Sequence, residues 1–258
     1  MKILTLALIL FLFCGCAAKK LIVKNADSLL QYQIEKYIPL NSTQKKILSM
    51  DVDRFFNENK SRVQELLPLI DSITLEATGN IQGQFDEMTK FVKLISMDLS
   101  KVLTKQLATL SVEQQKDFFK RIDKEKTHLA KKNKKKQGHE FEKRFEVFFG
   151  KMNISQKKLY ADYQSYFNQR FKERMKRREI LHLEMRTIYV QTQDNEKTRQ
   201  DKINDILTNY IQRPYENEKS IEIINKLIPT LGKEQRIHFK KMVQDLKELL
   251  GYFVENKY

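Results

Sequence analysis

The chain has 258 residues, and its 48 Lys and Arg against 33 Asp and Glu give a net charge of +15 at neutral pH. Hydrophobic residues make up 41% and charged residues 31% of the chain, which excludes both a multispan membrane protein and a disordered chain of low hydrophobicity. Only 7 Gly and 4 Pro are present to form tight turns, so we expect an all-α fold with no sheet. With 2 Cys and 4 His, the composition also argues against most metal sites and thiol mechanisms.

The chain begins with the pattern of an export signal. Residues 1–13 combine a basic start with an apolar run of about 11 residues, which is shorter than the roughly 20 that span a membrane. Gly15 directly before Cys16 then resembles the lipobox of bacterial lipoproteins, in which that cysteine receives diacylglycerol. We therefore expect residues 1–15 to be a lipoprotein signal peptide and residues 16–24 to be the lipidated cysteine and a tether. The alternative is an ordinary secretory signal cut one or two residues after Cys16.

Lipidation of Cys16 would decide which partners and which chemistry are open to the protein. The acyl chains of a mature lipoprotein anchor it permanently in a membrane. Export separates the chain from nucleic acid, the partner that its net charge would otherwise suggest. Cys14 would leave with the signal and Cys16 would be a thioether, so thiol catalysis is excluded. The residues after Cys16 lack an acidic inner-membrane retention signal, and we expect an outer-membrane protein that faces the periplasm.

Four short segments share an apolar residue, a small or polar residue, two variable positions and Gln; they begin at Leu40, Leu110, Met152 and Leu231. Each has the spacing of a capping box, in which the N-cap side chain accepts from the N3 amide and the N3 Gln reaches back to the cap amide. The expected capping residues are Asn41, Gln44, Ser111, Gln114, Asn153, Gln156 and Gln235, with Gly232 as the weakest cap. The unequal spacing of the four boxes excludes a solenoid of fixed period.

Apolar residues between the boxes recur at helical spacing, which predicts an irregular array of six or seven helices. No Gly or Pro interrupts residues 151–213, so this stretch is one very long helix or two helices joined near residues 191–200. Pro68 is expected to end or kink the helix that begins at Asn41. Gly79 and Gly83 are expected to mark the next connection.

Residues 25–258 are expected to form a single all-helical domain, with a possible sub-boundary near residues 109–111. We interpret its apolar and aromatic stripes as core or helix contacts, because long apolar stripes at helical spacing usually pack against a neighbour. One such stripe continues along the long helical stretch through Ile180, Leu183, Ile188 and Val190.

The positive charge is concentrated in the middle of the chain. Residues 116–178 hold 21 basic and 8 acidic side chains, which is +13 of the net +15. Two clusters supply the candidate partner-binding residues: Lys131, Lys132, Lys134, Lys135, Lys136, Lys172, Arg174, Lys176, Arg177 and Arg178. Because like charges repel, an anionic partner would stabilise such a surface; the alternative is a solvated charged helix face. In the envelope, the candidate partners are lipid headgroups, wall polymers and acidic proteins.

Neighbours of the boxes resemble an uncharacterised family of Gram-negative helical lipoproteins. The matching stretches are Asn25-Ala26-Asp27-Ser28-Leu29-Leu30, Tyr37-Ile38-Pro39-Leu40 with Gln44, Glu65-Leu66-Leu67-Pro68, and Phe148 to Gln156. Their order and spacing agree over roughly residues 24–210, although this chain has Leu and Phe where the family favours Trp. The resemblance implies an outer-membrane lipoprotein and a helical fold, and no mechanism. Over less of the chain, the Leu-Thr-x-x-Gln-like boxes resemble those of the Spy and CpxP periplasmic chaperones.

Two functions therefore remain open. The first is chaperone-like binding of partly unfolded or anionic partners, which the looser resemblance implies. The second is a structural adaptor that links the outer membrane to a wall polymer, lipid headgroups or an envelope protein complex. They differ in client range, because a chaperone holds many unrelated chains and an adaptor holds one dominant partner.

Enzyme functions find little support in the residues. Glu125 with His128, and Glu179 with His182, have the Glu-x-x-His spacing of helical carboxylate-bridged di-metal sites. Lys and Arg flank both glutamates, and these cations oppose the assembly of a buried dication. We expect no catalytic residue, no metal and no cofactor.

Overall fold

The structure is a computed structural model that describes residues 23–73, 75, 80–136, 139–214 and 217–256. In these ranges it consists of ten α-helices and one 3₁₀ turn, with no strand, which confirms the all-α fold class. The helices are α1 (Ala26–Tyr37), α2 (Ser42–Glu58), α3 (Lys60–Asp71), α4 (Ile81–Ala108), α5 (Val112–Lys136), α6 (His139–Phe149), α7 (Ile154–Gln191), α8 (Glu196–Gln212), α9 (Glu218–Leu227) and α10 (Lys233–Asn256), with the 3₁₀ turn at Ile228–Thr230. Side chains are described throughout except at residues 129–141, 144 and 256.

The expected number of six or seven helices was wrong, because polar residues break segments in which the sequence shows no Gly or Pro. The helix that begins after Asn41 ends at Glu58, and α3 starts two residues later. Asn59 lies between them with 2% of its surface exposed, and its side-chain amide donates to the Phe55 carbonyl at 2.9 Å. This bond occupies a carbonyl at the end of α2 and so fixes the break.

The expected roles of Pro68 and Gly83 were also wrong. Pro68 lies inside α3, which continues to Asp71, so it neither ends the first helix nor stops its own. Gly83 lies in the first turn of α4, where the side chain of Asn80 packs so close that a Cβ would clash with it. A glycine in a helix costs only about 1 kcal/mol relative to alanine, which neighbouring contacts readily offset. Gly79 lies outside the described residues.

The long stretch after Asn153 forms two helices, as one of the two alternatives predicted. Helix α7 runs for 38 residues, about 57 Å, and a turn at residues 192–195 separates it from α8. The Thr192 hydroxyl donates to the Ile188 carbonyl at 2.7 Å, and the Asn195 side chain caps α8 by accepting from the Thr198 amide at 2.9 Å. Local hydrogen bonds of Thr and Asn therefore end one helix and start the next.

Apolar side chains pack into three clusters. The largest lies where α1, α2, α4, α5, α7 and α8 meet, and Leu48, Val52 and Ile203 are 0% exposed in it. A second cluster joins α6, the 3₁₀ turn and α10, and a third packs the C-terminal part of α10 against α3 and Val23. Each fully buried aliphatic side chain contributes about 1.5–3 kcal/mol. Among the described helices, none is both long and apolar enough to cross a membrane.

Candidate functional site

Each of the four boxes lies at the start of a helix. Asn41 and Asn153 cap α2 and α7, and in both helices the glutamine at N3 returns a hydrogen bond to the cap amide. Ser111 accepts from the Gln114 amide at 3.3 Å while Gln114 Oε1 accepts from the Ser111 amide at 2.9 Å. In the fourth box only the return bond exists, from the Gly232 amide to Gln235 Oε1 at 3.1 Å, since glycine has no side chain to accept.

The first and second boxes are joined by a hydrogen-bonded pair of glutamines, which we name the first clasp (Gln44 and Gln114). Gln114 Nε2 donates to Gln44 Oε1 at 2.7 Å and to the Pro39 carbonyl at 2.7 Å. Gln44 Nε2 donates to the Thr109 carbonyl at 3.1 Å. The clasp therefore connects two chain segments that are 70 residues apart.

The third and fourth boxes form the second clasp (Gln156 and Gln235). The two amides bond reciprocally at 2.8 and 2.9 Å. Gln156 also donates to the Thr230 carbonyl at 3.1 Å, and Gln235 donates to the Lys151 carbonyl at 2.8 Å. Because Gln156 is only 1% exposed, this clasp is an internal connection and not a surface for a partner.

The pairing of the boxes could not be read from one sequence. A capping box is a local pattern of four residues, and it shows the start of a helix but not which other helix start lies beside it. The only signal was that each glutamine caps its own helix with Oε1 and keeps both N–H donors of its Nε2 group, and buried donors need acceptors.

The basic middle of the chain lies on α5 and α7. Lys126 Nζ and Glu179 Oε1 are 2.6 Å apart, and Arg186 and Asp123 form a second ion pair at 2.9 Å. The Arg186 guanidinium also lies 4.1 Å from the centroid of the Phe119 ring. The two helices run antiparallel here, because later residues of α5 contact earlier residues of α7.

The five basic residues predicted on α7 do not share one face. Lys172 and Lys176 are exposed on one side, whereas Arg174 is exposed on the other, and Arg177 and Arg178 are half-buried. The run Lys131, Lys132, Lys134, Lys135 and Lys136 occupies the last turns of α5, and its side chains lie outside the described part of the structure. The predicted binding residues of α7 therefore differ in exposure and direction, and of these five only Lys172 and Lys176 lie together on one exposed side.

Apolar residues continue the line of these two lysines along α7. The six residues of this line are spaced by three or four, so they share one side of the helix, and all are exposed: Lys172, Lys176, Ile180, Leu183, Thr187 and Val190. We name this surface the α7 outer face. Leu183 is 59% exposed and Val190 71% exposed.

The α7 outer face corrects the interpretation of the apolar stripe. Only Ile188 of the four residues predicted as core or helix contacts is buried, at 6% exposure. It lies with Met185 and Tyr189 on the inner side of α7, where they join the largest apolar cluster. Ile180, Leu183 and Val190 lie on the opposite side of the helix. The sequence does show two apolar sets whose spacing places them on opposite sides of a helix, one at residues 185, 188 and 189 and the other at residues 180, 183 and 190.

A polar cluster joins α7 to α9. Tyr163 donates its hydroxyl hydrogen to Glu222 at 2.7 Å and accepts from Lys226 Nζ at 2.8 Å. Hydrogen bonds from Lys219, Tyr163 and Lys226 lower the pKa of Glu222 to about 2. The same contacts with Tyr163 and Glu222 raise the pKa of Lys226. Lys219, Tyr163, Glu222 and Lys226 bond to one another across the two helices, so we interpret the cluster as a structural connection.

The Glu-x-x-His pairs do not meet as a metal site in the described residues. Glu179 is held by Lys126, and this hydrogen bond lowers the pKa of its carboxyl group. His128 is exposed on α5. No group of three or more His, Cys, Asp or Glu that could hold a metal ion occurs among the residues that the structure describes.

His182 is a partly buried titratable group between α5 and α7. Burial lowers its pKa most, the nearby cations Arg178, Lys126 and Arg186 lower it further, and Asp123 opposes them. Its imidazole is therefore held in the neutral form more strongly than in the unfolded chain, where its pKa is near 6.5.

Acid should destabilise the protein through His182. Below about pH 6.5 the unfolded chain binds a proton that the folded chain resists, so stability is complete above this pH and falls as pH decreases toward the folded pKa. We expect His182→Gln to reduce the fall in urea midpoint between about pH 7.5 and about pH 5.5. His128→Gln on the exposed side of α5 is the control and should keep the wild-type fall. Equal falls in wild type and His182→Gln would contradict the expectation.

Comparison of the chain with protein-family models, with curated proteins and with solved structures found no match. The functional conclusion therefore depends on the chain's own residues. Cys16 and the signal at residues 1–15 lie outside the described residues.

Proposed function

We propose that this chain is a non-enzymatic, lipid-anchored envelope protein whose α7 outer face binds partly unfolded or anionic polypeptide segments in a chaperone-like way. The observation that carries the proposal is the composition of this face, with two exposed lysines at one end and three exposed aliphatic side chains beyond them. From Lys172 to Val190 it is about 27 Å long, which matches about eight residues of extended chain.

The chemistry of the face favours a segment in which acidic residues precede or follow apolar ones. Residues 170–178 of α7 hold six Lys or Arg and one Glu, so this end of the face attracts carboxylates. The aliphatic end is stabilised when a partner removes its surface from water, at about 25 cal/mol per Å². Because apolar contact is not directional, it accepts many sequences and favours a broad range of clients over one dedicated partner.

The support for this proposal comes from the α7 outer face and not from the capping boxes. The boxes resemble those of periplasmic chaperones, but in this chain their glutamines bond to one another inside the two clasps. Their role here is to hold helices together, which leaves the surface of α7 as the candidate for client binding.

The proposal predicts that the mature chain without its lipidated Cys16, starting at Ala17, suppresses the aggregation of unrelated unfolding proteins at near-stoichiometric ratios. The variant Ile180→Ser, Leu183→Ser and Val190→Ser should weaken client binding at least about tenfold, because each aliphatic side chain contributes up to about 1.5–3 kcal/mol on burial. Light scattering of clients during dilution from denaturant measures the suppression, and the salt dependence measures the part that lysines contribute.

A matched control removes three exposed apolar side chains elsewhere. Tyr32→Ser, Met50→Ser and Val92→Ser lie on α1, α2 and α4 and should leave suppression unchanged. No suppression by wild type at excess protein would reject the chaperone-like function. Suppression that is lost equally in both triple variants would reject the α7 outer face, and crosslinking in cells to one dominant partner would favour the structural adaptor.

Lipidation has its own test. Cys16→Ser should abolish incorporation of a fatty-acid label and leave an uncleaved or mislocalised chain, because the signal peptidase of lipoproteins acts on the acylated cysteine. Cys14→Ser is the matched control and should be labelled like wild type. Label that persists in Cys16→Ser and disappears in Cys14→Ser would show that the acceptor is the other cysteine.

A further inference from the structure

The two clasps divide the ten described helices into two sets of five. In the first set, the box at the start of α2 is clasped to the box at the start of α5; in the second, the box at the start of α7 is clasped to the box at the start of α10. We propose that the chain consists of two copies of one five-helix unit, residues 26–136 and residues 139–256, each closed by its own clasp.

The acceptors of the two clasps occupy the same positions. The glutamine of the first box in each unit donates to a threonine carbonyl, Thr109 or Thr230, at 3.1 Å in both. The glutamine of the second box donates to the carbonyl of the residue five positions before the glutamine of the first box. This carbonyl belongs to Pro39 in the first unit, at 2.7 Å, and to Lys151 in the second unit, at 2.8 Å. Any two similar capping boxes that lie side by side could form these bonds without a common origin. The evidence for a duplicated unit therefore depends on features that first boxes share with each other, or second boxes with each other, but that the two kinds do not have in common.

Second boxes share three further bonds. The hydroxyls of Thr109 and Thr230 donate to the carbonyls of Gln106 and Leu227, three residues back, at 3.1 and 2.7 Å. The amides of Leu110 and Leu231 donate to the carbonyls three residues before them, at 3.4 and 3.2 Å. The residue after each clasp glutamine, Gln115 or Arg236, donates to the carbonyl of Leu110 or Leu231 at 2.8 and 3.2 Å.

First boxes do not share these bonds. One residue after the end of the preceding helix, the amides of Ile38 and Gly150 donate to the carbonyls four residues before them, at 2.8 and 2.9 Å. Ile228, which follows α9, donates to Ile224 in the same way, so this bond does not distinguish the two kinds of box. Within the described residues, first boxes therefore match first boxes and second boxes match second boxes. This order is what a duplicated unit requires.

A side chain from the fifth helix reaches the same carbonyl in both units. Arg121 of α5 donates to the Glu35 carbonyl at 2.9 Å, and the His238 ring of α10 lies 3.1 Å from the Val147 carbonyl. Both carbonyls lie six residues before the cap asparagine of the first box. The two donors lie at different positions, seven residues after Gln114 and three residues after Gln235, so what the units share is a contact between the fifth helix and the first helix.

The units differ most where the α7 outer face lies. Helix α2 has 17 residues and its counterpart α7 has 38. Counted from the cap, the end of α2 corresponds to residue 170, so Lys172 and every later residue of the α7 outer face lie on the part of α7 that extends beyond the end of α2. The α7 outer face therefore occurs in the second unit and has no counterpart on α2. Its role in binding clients depends on the proposed function.

Exchanging equivalent residues between the units tests the proposal in the full mature chain. Gln115→Arg and Arg236→Gln place at each position the residue of its counterpart. Gln115→Arg should keep the Tm within about 1 °C of wild type, and Arg236→Gln, which keeps a donor for the Leu231 carbonyl but loses the bond of Arg236 to the Ile228 carbonyl at 2.8 Å, should lower the Tm by less than Arg236→Ala does. Gln115→Ala and Arg236→Ala lose the bond to the leucine carbonyl and should lower the Tm by about 2–4 °C. Exchange variants that lose as much as the alanine variants would overturn the equivalence.

A substitution at Gly232 gives a second test, in which the expected result is a gain of stability. Its counterpart is Ser111, whose hydroxyl caps α5, and a Cβ at Gly232 would meet Gln235 Oε1 at an ordinary 3.9 Å. Gly232→Ser should therefore supply the missing cap and raise the Tm by about 1 °C, while Ser111→Gly should lower it by a similar amount. A Tm that falls or stays the same in Gly232→Ser would count against the duplicated unit.

Discussion

Replacing Arg199 with alanine is expected to lower the Tm by about 6–12 °C, from a loss of about 3 kcal/mol in the free energy of unfolding. Arg199 is 6% exposed and lies at the start of α8. Its guanidinium donates to three carbonyls, those of Ala108, Thr192 and Gln193, each at 2.8 Å. Alanine would remove all three bonds, and among the described residues only the Thr192 carbonyl would keep another donor, the Asn195 amide at 3.2 Å. A buried polar group without a partner costs about 1–3 kcal/mol.

The loss of stability should be large because Arg199 is one of the side chains that donate hydrogen bonds to the last carbonyls of α4. The last carbonyls of a helix have no partner within the helix. At the end of α4, the Leu107 carbonyl accepts from the Tyr189 hydroxyl at 2.7 Å, and the Ala108 carbonyl accepts from Arg199. Burial raises the pKa of Tyr189, which keeps its hydroxyl a donor at any physiological pH.

Thermal unfolding followed by circular dichroism measures the change. Arg199→Lys should recover only part of the loss, since an ammonium group cannot reach three carbonyls with the planar fork of a guanidinium. Lys197→Ala, two residues earlier and exposed, is the matched control and should stay within about 0.5 kcal/mol of wild type. A Tm of Arg199→Ala as high as that of Lys197→Ala would show that these carbonyls find water instead.

The fold class and the helix starts could be predicted from the sequence because both depend on local information. Scarcity of Gly and Pro indicated helices, and the boxes at Asn41, Ser111 and Asn153 place the cap three residues before the glutamine that completes it. The number of helices could not be predicted in the same way. The break at Asn59 needs a buried amide bonded to the Phe55 carbonyl, and nothing in the neighbouring sequence separates such an asparagine from a solvated one.

The candidate site was predictable only in part. Charge counting directed attention to the segment around residues 170–178, but it treated Lys172, Arg174 and Arg178 as one surface, whereas the helix turns by about 100° per residue and spreads them over different sides. Hydrophobicity likewise does not tell which of two apolar sets on α7 faces the core. The larger cluster at Met185, Ile188 and Tyr189 is buried by helices far away in sequence, and that leaves Leu183 and Val190 outside.

The second clasp should be worth about 2–3 kcal/mol to the folded protein, measured as the loss in Gln156→Ala. Gln156 is 1% exposed, and alanine would remove the bond to its own cap amide, the bond to the Thr230 carbonyl and the reciprocal bonds to Gln235. Gln235 is half-exposed, so water can replace part of what Gln235→Ala removes, and we expect a smaller loss of about 1–2 kcal/mol there.

A double-mutant cycle isolates the contact between the two glutamines. If their amides bond reciprocally, the double alanine variant should lose about 1–2 kcal/mol less than the sum of the single variants. Gln82→Ala, which removes an exposed bond to Asp86, serves as the control second site and should be additive with Gln156→Ala to within about 0.5 kcal/mol. Urea unfolding gives each free energy, and a coupling of the two glutamines no larger than this control would contradict the clasp.

Gln156→Glu separates the hydrogen bonds from the packing. Glutamate keeps the size and shape of the side chain, so a contribution from packing alone would survive the change. It also exchanges the Nε2 donor for an acceptor that faces two other acceptors, the Thr230 carbonyl and Gln235 Oε1. We therefore expect Gln156→Glu to lose at least as much stability as Gln156→Ala, and a pH-dependent recovery on protonation of the new carboxyl group, which restores one donor to the clasp.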